Sequence, residues 1–244
     1  MGLIKNIVGR IWALWALIWF ILTFLLIFPF SMIAYLIPDP AGQRYFIIVS
    51  RVWMLIWLPL VGCPVRVKGW QHFKKNTAYI VIFNHNALLD VPLSAPFVPG
   101  PNKTIAKDSF ARVPLFGWFY SKGSVLVNRR SEQSRKKSFL EMKNVLQQGM
   151  HMCIYPEGTR NRTSEPLKPF YDGAFKLAAD SGHAILPCVI HGTREAMPVH
   201  KTFFLLPHIL RMEFMEPISP AGQTIDSLKE TAYIRMREMY IKKR

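Results

Sequence analysis

Acidic residues are scarce in this chain. Fifteen Asp and Glu stand against 31 Lys and Arg, for a formal charge of +16. Such an excess suits nucleic acid, an anionic bilayer face or a phosphorylated substrate as partner. Cysteine is equally sparse. Cys63, Cys153 and Cys188 lie in apolar contexts with no close-spaced pair, which argues against a disulfide framework and against a zinc site. A reducing, cytosolic setting for the soluble part follows. The first 62 residues almost lack charge: Asp39 is their only acid, and residues 11–37 carry none of either sign. That run is longer than a signal peptide's apolar region, and no small-x-small cleavage site follows it. Internal repeats and low-complexity segments are absent, and no recognised nucleic-acid motif accompanies the basic charge.

What is present divides at about residue 62. Residues 11–37 are long enough to cross a bilayer, and a second apolar run over 45–63 is interrupted only by Arg51. Five of the seven tryptophans (Trp12, Trp15, Trp19, Trp53 and Trp57) fall here, a residue type that favours the bilayer interface. Pro-Asp-Pro-Ala-Gly at 38–42 reads as the turn between two helices. Lys5 and Arg10 flank one end, Arg66 and Lys68 the other, so both ends belong on the cytoplasmic face of the cell membrane. A spanning hairpin and one embedded in a single leaflet both satisfy this. Pro29 and Arg51 favour the shallow version, because an arginine in hydrocarbon is costly. Two helices packed as a cap on the core are the alternative. The expected division is a membrane-embedded helical hairpin over 1–62 and an α/β domain over 63–244.

In the second part, 78–83 (AYIVIF) is a continuous β-prone run, as a buried strand requires. Residues 151–155 and 184–190 read as further strands, and 210–214 as an edge strand. Helical spacing marks 136–147 and 173–180, and 225–244 reads as a basic amphipathic helix. Strands alternating with helices predict an α/β fold: a mixed, mostly parallel sheet flanked by helices, with the N-terminal membrane-associated two-helix hairpin appended.

The chemistry concentrates in Asn84-His85-Asn86-Ala87-Leu88-Leu89-Asp90. On one continuous helix His85 and Asp90 would point about 140° apart and could not pair. With His85 in a strand-end loop and Asp90 in the first helical turn they can meet. Asp90 would then fix the imidazole tautomer and leave the other nitrogen as a base, with the substrate's own hydroxyl in place of a triad serine. By itself this spacing also fits a loop histidine followed by a helix-capping aspartate. A second segment, Tyr155-Pro156-Glu157-Gly158-Thr159-Arg160, also follows a buried strand, at the strand end where α/β sheets place their sites. Gly158 lets backbone approach a ligand and Arg160 offers a planar fork for phosphate. Glu157 is expected to hold that arginine or a substrate hydroxyl.

NHNALLD followed by YPEGTR resembles the glycerolipid acyltransferase family, specifically the 1-acyl-glycerol-3-phosphate acyltransferases. Residues 107–117 (KDSFARVPLFG) are similar to the family's Lys-x-Glu-Leu-x-x-x-Pro-x-x-Gly block, with Asp108 and Ser109 replacing Glu-Leu. Residues 123–129 (GSVLVNR) resemble its Gly-x-x-x-x-Asp-Arg block, with Asn128 for aspartate and Arg129 kept. Residues 167–178 and 186–190 match later blocks, so the resemblance spans roughly 60–220, and the hairpin too is like that of bacterial members. The resemblance implies an enzyme in which His85 and Asp90 are catalytic. Glu157, Gly158, Thr159, Arg160, Arg129 and Lys107 then bind substrate, Arg129 holding the acceptor's phosphate.

The implied acceptor is the membrane lipid lysophosphatidic acid and the implied donor an acyl thioester of acyl carrier protein or coenzyme A. No metal or redox cofactor and no nucleic acid are implied. A phosphomonoester carries close to two charges, so Lys107, Arg129, Arg160 and Lys168 can serve one head group. Arg130, Arg135, Lys136 and Lys137 read as a membrane- or carrier-facing surface, and Arg235, Arg237, Lys242, Lys243 and Arg244 as a solvated or headgroup-contacting one. Ser109, Ser124 and Thr159 lack a Gly-x-Ser-x-Gly elbow, which disfavours an acyl-enzyme. Backbone N–H groups of the 84–90 turn are candidates to hold the oxyanion. Two other classes are weighed against this: the same catalysis on another lysolipid, such as a lyso-ornithine lipid, and a non-catalytic basic membrane-binding module.

Overall fold

Burial on both faces explains the near-continuous apolar runs of the central strands. The structure, a computed structural model, describes residues 2–242. β2 (Ile80–Phe83), β5 (His151–Ile154) and β6 (Ile185–His191) are buried at every position, as expected of central parallel strands. β1 (Val65–Lys68), β3 (Asn102–Lys107), β4 (Ser124–Val127) and β7 (Leu210–Phe214) complete a sheet of order β1-β7-β6-β2-β5-β3-β4. All neighbours are parallel except β6 and β7. The mixed, mostly parallel sheet is therefore as the sequence predicts. β7 is a correction: it pairs with both β1 and β6 and is not an edge. The edges are β1 and β4, short four-residue strands, of which β1 alternates half-buried valines with exposed Arg66 and Lys68.

Two layers cover the sheet. α5 (Glu132–Gln147), α6 (Gly173–Ser181) and, after the single turn α7 (Thr193–Ala196), α8 (Ile225–Lys242) bury Leu146, Phe175 and Met236 against one face. α8 presents Leu228, Ala232, Met236 and Tyr240 inward, a four-residue repeat that makes one helix face. Its cations Arg235, Arg237 and Lys242 are exposed; Lys243 and Arg244 lie outside the described residues. Arg135, Lys136 and Lys137 are likewise exposed on α5, in the layer opposite the hairpin.

The other face is covered by α3 (Asp90–Phe97), α4 (Phe116–Lys122) and the N-terminal pair α1 (Leu3–Met32) and α2 (Ala41–Leu60). The turn between α1 and α2 falls where the proline-rich segment predicts, but the apolar core crosses the expected boundary at residue 62. Trp53, Met54, Trp57 and Leu58 of α2 pack in one cluster with Val81 and Phe83 of β2 and Leu93 of α3. The tryptophans work inside the hairpin. Trp57 Nε1 donates to Ala16 O at 3.1 Å, Trp53 Nε1 to Thr23 Oγ1 at 2.9 Å and Trp12 Nε1 to Val61 O at 2.9 Å. Asp39, the lone acid, is clamped by Lys122 at 2.9 Å and Lys103 at 3.2 Å, tying the hairpin turn to α4 and β3.

The outward face of the pair stays apolar, with Leu17, Ile21, Leu25, Val52, Leu55 and Ile56 exposed. A contiguous apolar surface of this kind marks a membrane or partner contact. Residues Leu3–Tyr35 are long and apolar enough to cross a membrane. Arg51 does not enter hydrocarbon: its guanidinium turns inward onto Pro96 O and Val98 O.

Candidate active site

β2 ends at Phe83, and the next residue holds the chain in place for the turn. Asn84 Nδ2 donates to Ile190 O at 2.9 Å and Asn84 Oδ1 accepts from Ile190 N at 2.7 Å, so one buried amide satisfies both backbone groups of the neighbouring strand. The chain then loops through His85 and enters α3 at Asp90. Asp90 is fully buried, and one carboxylate oxygen gathers three donors. Oδ2 accepts from Asn86 N at 2.6 Å, from Ala87 N at 2.7 Å and from His85 Nδ1 at 2.9 Å. The two backbone bonds tie the turn that precedes α3 to the first residue of the helix and fix where that oxygen sits. The third puts the proton on Nδ1 and leaves Nε2 of His85 free as the base.

Tyr155 supports the pair from behind. Its ring centroid lies 4.5 Å from the imidazole, its hydroxyl donates to Asp90 O at 2.9 Å, and it shares a 2.7 Å bond with Ser94 Oγ. Burial, reinforced by the Asp90 charge, pushes this phenol well above the usual tyrosine range, so it stays neutral.

The YPEGTR segment closes over the main chain of His85. Glu157, completely buried, accepts from His85 N at 2.8 Å through Oε1 and from Lys168 N at 3.0 Å through Oε2. Asn161 N donates to His85 O at 2.6 Å. This corrects the expected role of Glu157. Its partners are backbone N–H groups, so it holds neither Arg160 nor an open face for a substrate hydroxyl. Burial pushes its carboxyl up to about 7 against those two hydrogen bonds. Of the N–H groups in the 84–90 turn expected to hold the oxyanion, those of His85, Asn86 and Ala87 are already spent on carboxylates.

His85 opens onto a cavity of about 350 Å³. Lys107 at the end of β3, Arg129 after β4, Tyr155 and Gly158 share its wall with His85. Arg129 Nη1 donates to Gly158 O. Gly158 sits at φ +69, and a Cβ there would come within 2.8 Å of the Tyr171 ring, so glycine lets the loop turn beneath the arginine. Thr159 is exposed and bonded by Lys168 Nζ at 2.7 Å, and Arg160 is half-buried in the same loop. Neither lines the cavity, whereas Arg129 and Lys107 do. Asn128 folds its amide back onto Arg130 N at 3.1 Å and serves the turn. His191 is buried and stacked on Tyr240, 4.9 Å between centroids, which is a packing role. Among the described residues no group of three His, Cys, Asp or Glu is arranged to hold a metal ion.

The rest of the wall was not marked in the sequence. Away from His85 it is apolar, built by Phe46, Trp53 and Met54 of α2, Val91 and Pro96 of α3, and Phe119 of α4. These come from three separate segments, each of which alone looks like ordinary core. Their common purpose shows only when the helices meet. Such a slot, apolar along its length and cationic where it meets an imidazole, fits a fatty chain whose reacting end carries an anion nearby.

The sequence model of the Acyltransferase family matches residues 64–191, just over half of the chain. A 1-acyl-sn-glycerol-3-phosphate acyltransferase of Saccharomyces cerevisiae is 31% identical over 210 residues, covering 83% of this chain and 68% of that protein. One from Borreliella burgdorferi is 31% identical over 153 residues, covering 62% of this chain and 61% of its own. Across eight curated relatives that it matches, the chain spans between 46% and 68% of their length. The crystal structure of a 1-acyl-sn-glycerophosphate acyltransferase from Thermotoga maritima superposes with a TM-score of 0.79 at 22% identity, over 98% of this chain and 96% of that one, a likeness of fold that includes the N-terminal helices. By its sequence, and with a histidine–aspartate pair set at the head of a fatty slot, the chain belongs to the acyltransferase family.

Proposed function

We propose that the chain transfers a fatty acyl group from a thioester to the sn-2 hydroxyl of 1-acyl-sn-glycerol-3-phosphate, giving phosphatidic acid. The observation that carries this reading is the free Nε2 of His85, set in the wall of an apolar cavity beside Arg129 and Lys107. The relatives' printed names point the same way.

In this reading the acceptor's phosphate docks on Arg129 and Lys107, with Arg160 and Lys168 adding positive potential from the neighbouring loop. The hydroxyl gives its proton to Nε2 as its oxygen attacks the thioester carbonyl. The imidazolium that forms is held by the Asp90 carboxylate. When the tetrahedral intermediate collapses, the carbon–sulfur bond breaks and the same proton passes to the departing thiolate. Glu157 and Asn161 keep the His85 main chain still through both transfers, so the entropy of aligning base and alcohol is met before substrate arrives. The donor is a coenzyme A or acyl-carrier-protein thioester, and no further cofactor is required. The apolar α1 and the outer face of the hairpin suit attachment to a membrane. The exposed cations Lys5, Arg10, Arg66 and Lys68 support the cytoplasmic face.

The test is purified His85→Ala against a matrix of thioester donors and lysolipid acceptors, neutral and zwitterionic ones included. Wild-type protein should convert lysophosphatidic acid in preference to the other acceptors. The variant should bind membranes as before and turn over nothing. Near-normal transfer by the variant sinks the base assignment, and equal use of a phosphate-free acceptor by the wild type sinks the substrate assignment.

A further inference from the structure

Arg51 stood out in the sequence as a charge inside an apolar run, and the reaction above does not use it. The structure gives it two partners, neither an acid. Nε donates to Pro96 O at 2.6 Å and Nη2 to Val98 O at 2.9 Å. Both carbonyls lie at the C-terminus of α3, where backbone oxygens have no partner within the helix and the dipole favours a cation. The remaining carbonyls there are met by other elements. Asn102 Nδ2 donates to Ala95 O at 3.1 Å, and Trp70 Nε1 to Phe97 O at 3.1 Å. Four consecutive carbonyls are thus capped from outside the helix, and Arg51 supplies two of the bonds.

α3 needs such support. It is eight residues long and contains Pro92 and Pro96, and a helix so short has little stability of its own. Yet it has two duties. Its first residue is Asp90, and its side chains Val91, Pro92, Ala95 and Pro96 form one side of the cavity. Phe46, Ile47, Ser50, Trp53 and Met54 of α2 line the same cavity. The seam between α2 and α3 is therefore the joint along which the cavity could widen. Of the three capping residues Arg51 is the only one from the hairpin, and it bridges that seam with a fork that one ammonium group cannot reproduce.

We propose that Arg51 is a positioning residue: by pinning α2 to the C-terminal end of α3 it fixes the width of the slot and so determines which acyl-chain lengths the enzyme accepts. This rests on the reading that the slot holds the acyl chain. A closed apolar wall separates neighbouring chain lengths by about fourfold per methylene. A seam that breathes loses that discrimination while leaving the phosphate contacts at Arg129 and Lys107 untouched.

The experiment measures kcat/KM for a ladder of acyl-coenzyme A donors, at fixed lysophosphatidic acid, for wild type, Arg51→Met and Arg51→Lys. Arg51→Met keeps the aliphatic bulk and frees both carbonyls. Arg51→Lys keeps the charge but can meet only one of them. The expected result is a length profile flattened to about twofold or less per methylene in Arg51→Met and intermediate in Arg51→Lys, with KM for lysophosphatidic acid within twofold of wild type. A loss shared equally by every chain length, or a profile left unchanged, overturns the proposal. Should Arg51→Met fail to fold, the Arg51→Lys profile decides by the same criterion. The wild-type ladder keeps the two readings apart: no transfer from any donor sinks the activity itself, whereas normal transfer with a profile indifferent to Arg51 sinks only the positioning role.

Discussion

Replacing Asp90 by asparagine separates the two services that an acid renders a catalytic histidine. In a serine triad the same change flips the imidazole tautomer and costs about 10⁴-fold in kcat. Here the surroundings forbid the flip. The atom at the Oδ2 position faces N–H donors from Asn86 at 2.6 Å and Ala87 at 2.7 Å as well as His85 Nδ1. An amide NH₂ placed there would confront two fixed donors, so the asparagine must present its oxygen and the NH₂ must take the Oδ1 position. The Nδ1–H tautomer is kept and only the charge is lost. At 2.9 Å a unit charge acts on the imidazolium with about 6 kcal/mol at an effective dielectric of about 20. Charged and neutral hydrogen bonds differ by about 1–2 kcal/mol. The true loss falls between these figures, on the order of 10²-fold in kcat by the rule of tenfold per 1.4 kcal/mol. Oδ1 is buried without a hydrogen bond, so the NH₂ placed there also lowers stability by about 1–3 kcal/mol. The assay is kcat for Asp90→Asn and Asp90→Ala, with ¹⁵N spectra of the His85 ring. An asparagine variant as slow as the alanine variant, or a ring protonated on Nε2, refutes the reasoning.

Three further outcomes follow from the same geometry. Glu157→Gln removes an acceptor from one of two backbone N–H groups, so kcat should fall for every acceptor alike while KM for lysophosphatidic acid holds; a change confined to phosphorylated acceptors would return Glu157 to a substrate-binding role. Because burial raises the Glu157 carboxyl from 4.5 to about 7, its contribution to stability is whole below pH 4.5 and lost as pH rises toward 7, about 3 kcal/mol in all. Urea unfolding at pH 5 and pH 8 should show that slope in wild type and not in Glu157→Gln, the difference between the two cancelling the opposite slope of His151, whose burial lowers it to about 4. Arg129→Ala should raise KM for lysophosphatidic acid about tenfold or more, as loss of a charged hydrogen bond of about 1.5–3 kcal/mol requires, and Arg160→Ala should do less. A larger effect from Arg160 would contradict the placement of the phosphate.

The His85–Asp90 pairing was legible because its two members are joined by a single turn, and the strand–loop–helix setting that unites them is written in the same few residues. The continuous apolar runs of β2, β5 and β6 were legible for a similar reason, since burial on both faces leaves no room for alternation. Glu157 was misread because its partners are main-chain groups, which every sequence contains and none advertises. Arg129 and Arg160 look equivalent along the chain; only the fold of the loop turns one to the cavity and the other aside. Trp53 and Trp57 suggest a bilayer interface by residue type, yet each spends its N–H within the hairpin. Arg51 looked like an obstacle to burying α2, and the carbonyls that accommodate it come from a segment 45 residues away.

α2 has one further consequence at the bench. Its outer side chains Ile48, Val52, Leu55 and Ile56 are exposed while Phe46, Ile47 and Met54 on the same helix line the cavity, so a partition one helix thick divides two oily compartments. A surfactant used to extract the protein is attracted to both, coating the outside and plugging the inside. Inhibition that grows with surfactant tail length, and is relieved on reconstitution into vesicles, is the behaviour such a partition produces.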